Sequence, residues 1–378
     1  MADDNGQLSL DGGEGGFVPG KPLPRGRVAA KGPVQVVGDV PGTGQIPMFD
    51  DEEFVDYTRA LPPALHKRFT VPPFTVLDTR QDYWAPRRRS WLSLGIQSEL
   101  GPGEQLKDKA DASEGNGYKA NTKDSSGANQ TSIGERYGRK AMSGTSVFDP
   151  VLCEVAYRWF SPPGGLVLDP FAGGSVRGIV ATKLGRRYVG IDLNPHQVEA
   201  NQQQAHTICA DDPQQPVWRN GDSTEIPRLC ADDPPADFVF TCPPYYDLEV
   251  YSSAQEDISN AGSYAEFVAT YRRILWHALD RLQPNRFAGI VIGEIRDKRG
   301  HYRPFMQDTI AIFEQLGLWL YNAAVLITPA GSLPVRAAKQ FTTSRKLGRT
   351  HQHFLIFVKG DARKATEAIG EAEAGLIG

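Results

Sequence analysis

The chain has 378 residues, 40% of them apolar, enough for one large domain with appendages or two modest domains. A formal net charge of −4 excludes a protein that coats nucleic acid through its overall charge, so any polyanion would have to meet a local basic surface. Four widely spaced cysteines, Cys153, Cys209, Cys230 and Cys242, form no C-x-x-C pair, which argues against a zinc site or a disulfide framework and fits a reducing compartment.

The start, Met1-Ala-Asp-Asp-Asn-Gly6, lacks the basic and apolar regions of a signal peptide, and no apolar run is long enough to span a bilayer. A cytoplasmic protein without membrane partners is expected. Residues 1–60 are rich in Gly, Pro and acids and read as a disordered tail. Within it, Gln45-Ile-Pro-Met-Phe49 resembles the short peptide by which replication proteins dock on a sliding clamp. Residues 61–100 form an N-terminal element. A short strand near Phe69–Asp78 is followed by a helix that Pro86 helps open and Gly95 closes. Trp84, Arg87, Arg88, Arg89 and Trp91 interleave cations with aromatics there. That pattern suits a DNA contact, and it equally suits an amphipathic helix with tryptophan inward and arginine in water. Residues 101–144 are polar and nearly free of aliphatics, a flexible linker.

From 145 to 362 short apolar runs alternate with helical stretches. The runs are 166–169, 188–192, 217–222, 237–241, 287–295, 320–328 and 354–358; helices are expected over 151–160, 195–205, 264–282 and 303–316. This alternation predicts an α/β fold, Rossmann-like, with seven mostly parallel strands covered on both faces. The last two runs lack an obvious crossover helix, so the final strand should be antiparallel. Residues 363–378 read as a frayed tail.

Four segments carry chemistry. In Val167-Leu-Asp-Pro-Phe-Ala-Gly-Gly-Ser-Val-Arg-Gly178, a strand ends in an acid and a small-residue turn enters a helix, a setting in which backbone can approach a ligand closely. Any tight strand-to-helix turn also wants glycine. Asp192 ends the next strand, where an acid can accept from both ribose hydroxyls. Asp222, in Asn220-Gly-Asp-Ser223, can accept from an adenine amino group. Together these indicate an adenosine-containing ligand without choosing between a nicotinamide dinucleotide and S-adenosylmethionine. The fourth segment decides: a buried strand, Asp237-Phe-Val-Phe-Thr241, runs into Cys242-Pro-Pro-Tyr245. Two prolines fix the backbone and its carbonyl direction, and the tyrosine offers a face for stacking. Acceptors drawing on an amine's hydrogens localise its lone pair toward a methyl donor.

Here the chain resembles the DNA amino-methyltransferases, which form N6-methyladenine or N4-methylcytosine. Their Asp-Pro-Phe-x-Gly-x-Gly turn matches Asp169-Pro-Phe-Ala-Gly-Gly-Ser175, and their (Asp/Asn/Ser)-Pro-Pro-aromatic tetrad matches Cys242-Pro-Pro-Tyr245. The resemblance covers roughly 145–360 and looks closest to stand-alone phage and bacterial methylases. It implies the class I methyltransferase fold and S-adenosylmethionine as cofactor. Asp169, Pro170, Phe171, Gly173 and Gly174 would hold the cofactor, with Asp192 on ribose and Asp222 on adenine. Phe148, Asp149 and Pro150 resemble an additional cofactor-contacting element. Cys242, Pro243 and Pro244 would face the target amine in double-stranded DNA, with Tyr245 stacked on the base. No metal and no covalent intermediate are implied. Protection of bacterial or phage DNA from restriction would be the setting.

Two departures stand out. Ser175 replaces a glycine, and the tetrad begins with Cys242, sterically close to the serine of cytosine enzymes but a weak acceptor. The target therefore stays open between cytosine N4 and adenine N6. Arg336, Lys339, Arg345, Lys346 and Arg349 form a second basic stretch, expected as a loop at a sheet edge that can grip phosphates. Glu294-Ile-Arg-Asp297 would help shape the target pocket, and His351 and His353 share a strand face without partners for a metal. Three other readings stay open: an RNA or other amine methyltransferase, a non-catalytic cofactor-binding DNA regulator, and, disfavoured by its glycine spacing, a nicotinamide dehydrogenase.

Overall fold

The computed structural model describes residues 65–97, 147–246, 256–331 and 333–371. The tail 1–60 with its Gln45–Phe49 peptide and the linker 101–144 lie outside the described residues.

Eight strands form one sheet. They are β1 Val76–Asp78, β2 Leu166–Asp169, β3 Arg187–Asp192, β4 Val217–Asn220, β5 Ala236–Thr241, β6 Leu282–Ile292, β7 Leu318–Ile327 and β8 His351–Lys359. Their order is β1-β7-β8-β6-β5-β2-β3-β4, all parallel except β8, which runs antiparallel to both β6 and β7. Strands β2 and β5 are buried along their whole length, which is why they read as unbroken apolar runs rather than alternating ones. One face packs on α2 (Pro150–Phe160) and α3 (Val176–Lys183), with Tyr157, Phe238, Phe240 and Phe354 at its centre. The other packs on α6 (Tyr264–Asp280) and α7 (Phe305–Gln315) through Phe267, Tyr271, Phe305 and Phe313.

The chain runs outward from β2 through β3 and β4, then returns to β5 on the opposite side. The carboxyl ends of β2 and β5 therefore flank the point where strand order reverses, the place where open α/β sheets bind ligands. Because β8 is antiparallel, its amino end reaches the same rim, with His353 opposite Ile292.

Three expectations need correction. The sheet has eight strands, not seven. The strand expected in the N-terminal element joins it as β1, pairing Leu77 with Leu326 and shielding the end of the β7 edge. Between β7 and β8 lies a helix, α8 (Leu333–Ser344), where a loop was expected. It shows no fully buried residue among those described, and Gly331 and Pro334 at its start read as turn residues. Nor is it at a sheet edge, since β8 lies between β6 and β7. Finally, part of the expected tail 363–378 is a helix, α9 (Ala362–Ile369). Asp361 caps it by accepting from the Arg363 and Lys364 amides, and it buries Ala365 and Ile369, one turn apart. Ala362, Ala365 and Ile369 fall at helical spacing, so this helix was legible and the expected tail overlooked it.

Candidate active site

The cofactor turn begins at Asp169, the last residue of β2, and ends where α3 starts at Val176. Gly173 takes a left-handed conformation (φ +50°), and a Cβ on it or on Gly174 would meet nothing within 4 Å. The turn thus offers bare backbone to open space. From below it rests on β3: Ala172 N–H donates to the Ile191 carbonyl at 3.0 Å, and a Cβ on Gly190 would lie 2.8 Å from Ala172 Cβ. Asp192, at the end of β3, is half-buried. Its Oδ2 accepts from Gly173 N–H at 2.8 Å and its Oδ1 from Asn194 N–H at 2.9 Å. Each oxygen keeps acceptor capacity for a further donor. Burial pushes its pKa up to about 6. Asp222 lies beyond β4 and caps the turn that follows, accepting from the amide and hydroxyl of Thr224 at 2.8 and 2.7 Å.

Asp169 plays a different part from the one expected. It is fully buried, and its carboxylate accepts from four donors: Phe171 N–H (3.1 Å), Thr241 Oγ1 (2.6 Å), Arg177 Nε (2.5 Å) and Tyr188 Oη (2.8 Å). These take up its acceptor sites, so it anchors the turn from beneath instead of holding the cofactor. Arg177, which the sequence reading passed over, is its buried counter-ion. The guanidinium also donates to the Phe171 and Ala172 carbonyls at 2.6 and 2.8 Å, closing the turn around itself. Phe148 covers that guanidinium, 4.7 Å from ring centroid to Cζ, and so stands beside the turn. Asp149 turns the other way. It caps α2 through the Val151 and Leu152 amides and accepts from Trp84 Nε1 at 3.1 Å, while Pro150 is the first, buried residue of that helix. Asp149 and Pro150 start a helix and do not line the open face of the turn. Burial raises the Asp149 pKa.

The Thr241–Asp169 bond ties the ends of β5 and β2 together, which sets Cys242-Pro-Pro-Tyr245 beside the cofactor turn. Pro243 is buried; Cys242, Pro244 and Tyr245 are half-buried. The Cys242 thiol lies 3.9 Å from Tyr245 Oη, and Gln352 Nε2 donates to the same oxygen at 2.9 Å. The Tyr245 ring rests against Gly293, where a Cβ would come 3.5 Å from Cζ. Tyr246 follows with φ +44° and packs on Phe267 and Tyr264, with the Arg303 guanidinium 5.0 and 4.9 Å from the rings of Tyr246 and Tyr264. Gln352, Gly293 and Arg303 were missed, because nothing in local sequence links them to a motif more than 40 residues away.

The arginines of the N-terminal element divide. In α1 (Trp84–Ser93), Trp84 and Trp91 are buried, and Trp91 Nε1 donates to Glu154 at 2.8 Å. Arg87 pairs with the same buried carboxylate (Nε to Oε2, 2.5 Å), which Arg158 also joins at 2.9 Å. Arg87 therefore fastens α1 to α2 instead of offering its charge to DNA as expected. Arg88 and Arg89 are exposed, Arg88 lying 3.7 Å from Asp149.

On the other side of the site, 328–350 carries Arg336, Lys339, Arg345, Lys346 and Arg349 and no acidic residue. Lys339 and Arg345 are exposed, and Lys346 lies over Gly300. Arg349 donates to the Glu294 carbonyl. The Glu294 carboxylate lies 3.6 Å from His353 Nε2, and burial lowers the His353 pKa. His351 and His353 stack edge to face at 5.4 Å, and the described residues contain no cluster of three metal-ligating side chains. No described helix is long and apolar enough to cross a membrane.

Without β1, the strand order is that of the class I methyltransferase fold, with its single antiparallel strand beside the fifth parallel one. Residues 118–203 match a family model described as DNA methylase, consistent with the DNA amino-methyltransferases. The match begins inside the expected linker and runs through the cofactor turn to α4 (Pro195–Ile208). That family uses S-adenosylmethionine, and the bare glycine backbone beside an acceptor-rich Asp192 fits it. Among solved structures, TrmN from Thermus thermophilus is similar at 19% identity and a TM-score of 0.37, over 60% of this chain and 52% of that one, so this chain spans about half of TrmN. Magnesium protoporphyrin IX methyltransferase from Synechocystis PCC 6803 is similar at 14% identity and a TM-score of 0.37, over 61% and 92% of the two chains. No curated protein sequence matches.

Proposed function

We propose that this protein transfers a methyl group from S-adenosylmethionine to the exocyclic amine of cytosine (N4) or adenine (N6) at specific sites in double-stranded DNA. The observation that carries the reading is the Thr241–Asp169 bond, which joins the Pro-Pro-Tyr tetrad to the glycine turn at the reversal of strand order.

The cofactor supplies an electrophilic methyl group; the chain supplies placement. Asp192 accepts from the ribose hydroxyls through the capacity its two amide bonds leave. Asp222 receives the adenine amine, and Phe148 and Phe171 border the turn. Tyr245 stacks on the extruded base, while the backbone carbonyl at Pro243 and the Cys242 sulfur draw on the hydrogens of the target amine. A sulfur acceptor is weak, so backbone does most of this work. The acid-free stretch 328–350 and exposed Arg88 and Arg89 take the phosphates. Restriction protection in a bacterial or phage setting belongs to the same proposal, as does a clamp contact through Gln45–Phe49.

The test is expression in a host without amino-methylated bases, followed by digestion of its DNA and mass spectrometry. N4-methyldeoxycytidine or N6-methyldeoxyadenosine above the vector control is expected. Its absence, with folded protein present, would overturn the reading.

A further inference from the structure

The aromatic residue of the tetrad is held by a strand that the tetrad does not belong to. Gln352 is the second residue of β8, the antiparallel strand, which brings its amino end to the catalytic rim. Its amide donates to Tyr245 Oη at 2.9 Å across 107 positions of sequence. The same oxygen lies 3.9 Å from Cys242 Sγ, at the head of the tetrad. A Cβ on Gly293 would come 3.5 Å from Tyr245 Cζ and 2.6 Å from the Arg349 guanidinium, so ring and guanidinium both close on that glycine. Hydroxyl and ring are thus both located by neighbours on β8 and beyond β6.

A stacking ring assists transfer only if its plane is set before the base arrives; otherwise ordering it consumes part of the binding energy. A phenylalanine would stack equally well, so the hydroxyl needs a separate reason to be there. We infer that Gln352 is a positioning residue. It fixes the Tyr245 ring plane for the extruded base and holds the hydroxyl toward Cys242. This inference rests on the amine-methylation reading.

The experiment is a double-mutant cycle on the full chain with Gln352→Leu, Tyr245→Phe and the pair. It is read three ways: methylation of DNA at steady state, cofactor affinity by calorimetry, and denaturant unfolding. Gln352→Leu should lower kcat/KM for DNA about tenfold, the effect of one hydrogen bond, with cofactor affinity within about twofold. Tyr245→Phe should give a similar loss, and the pair no more than either single change. Gln352→His, which keeps an N–H donor for the phenol oxygen, should recover most of the activity. Equal losses from Gln352→Leu with and without Tyr245→Phe would overturn the inference. So would a fall in cofactor affinity matching the fall in turnover. If unaltered protein binds cofactor yet methylates no DNA, the functional reading fails on its own account. The unfolding cycle then decides the contact: coupling between the two positions supports the positioning role, and strict additivity overturns it.

Discussion

Asp192 gives the cofactor site a pH dependence that can be worked from the structure. Burial raises its pKa from 3.8 to about 6, against the two amide donors that favour the charged form; Asp169 and Arg177 are the charged groups that act on it. A raised carboxyl pKa means that the folded protein holds the proton more tightly than the unfolded chain. Without cofactor, the stability this carboxyl contributes is therefore full below pH 3.8 and is lost as pH rises to about 6, at most about 3 kcal/mol. Ribose hydroxyls reverse the preference, since they donate to the ionised form. At pH 5 roughly one carboxyl in eleven is ionised, and at pH 7 roughly ten in eleven, so cofactor affinity should fall about tenfold, ~1.4 kcal/mol, between the two. Calorimetry of cofactor binding from pH 5 to 8 reads this directly, and binding near pH 6 should release a proton. Asp192→Asn should bind weakly with no slope. A flat wild-type profile, or the same slope in Asp192→Asn, would refute the assignment of Asp192 to the ribose.

Further outcomes follow from the packing and from the exposed charges. Asp169→Ala leaves the Arg177 guanidinium buried without its carboxylate. It should cost about 3–5 kcal/mol in denaturant unfolding, and a loss below 1 kcal/mol would contradict the anchor role. Gly178→Ala would set a Cβ 2.4 Å from Trp218 Cζ2 in the packing of α3 on the sheet; about 1–3 kcal/mol of destabilisation is expected, visible as a lowered Tm. Lys339→Ala and Arg345→Ala should each weaken DNA binding whatever the sequence and reduce the salt slope by about 1. Arg87→Ala should leave that slope unchanged and lower stability, because its partner Glu154 is buried; an unchanged slope in all three variants would remove 328–350 from the interface.

What could be read in the sequence was what short-range physics writes there. The parallel core strands are continuous apolar runs because both faces are covered, and the glycine turn and Cys242–Tyr245 are contiguous. Asp192 could be placed at the end of β3 because a strand-end acid is a local feature. The tertiary partners were not legible. Asp169 looked like a ligand contact because its donors Arg177, Tyr188 and Thr241 converge only in three dimensions. Arg87 looked like a phosphate contact because its partner Glu154 lies 67 positions away. Helices α8 and α9 carry apolar residues at helical spacing but were passed over, α8 because Gly331 and Pro334 at its start read as turn residues and α9 because it is one short stretch in an Ala/Glu/Gly-rich end; β1 was expected as a strand, but its pairing with β7 is a long-range contact that local sequence does not write.

The central claim is methyl transfer to an amine of DNA, and one measurement meets it most directly. Purified protein would be incubated with tritiated S-adenosylmethionine and unmethylated DNA, with bulk RNA as a parallel acceptor, and the products digested to nucleosides. Label in N4-methyldeoxycytidine or N6-methyldeoxyadenosine, lost in Tyr245→Ala, is the predicted result and names the base. Cofactor binding with no label in DNA would contradict the account, and label confined to RNA would reassign the substrate.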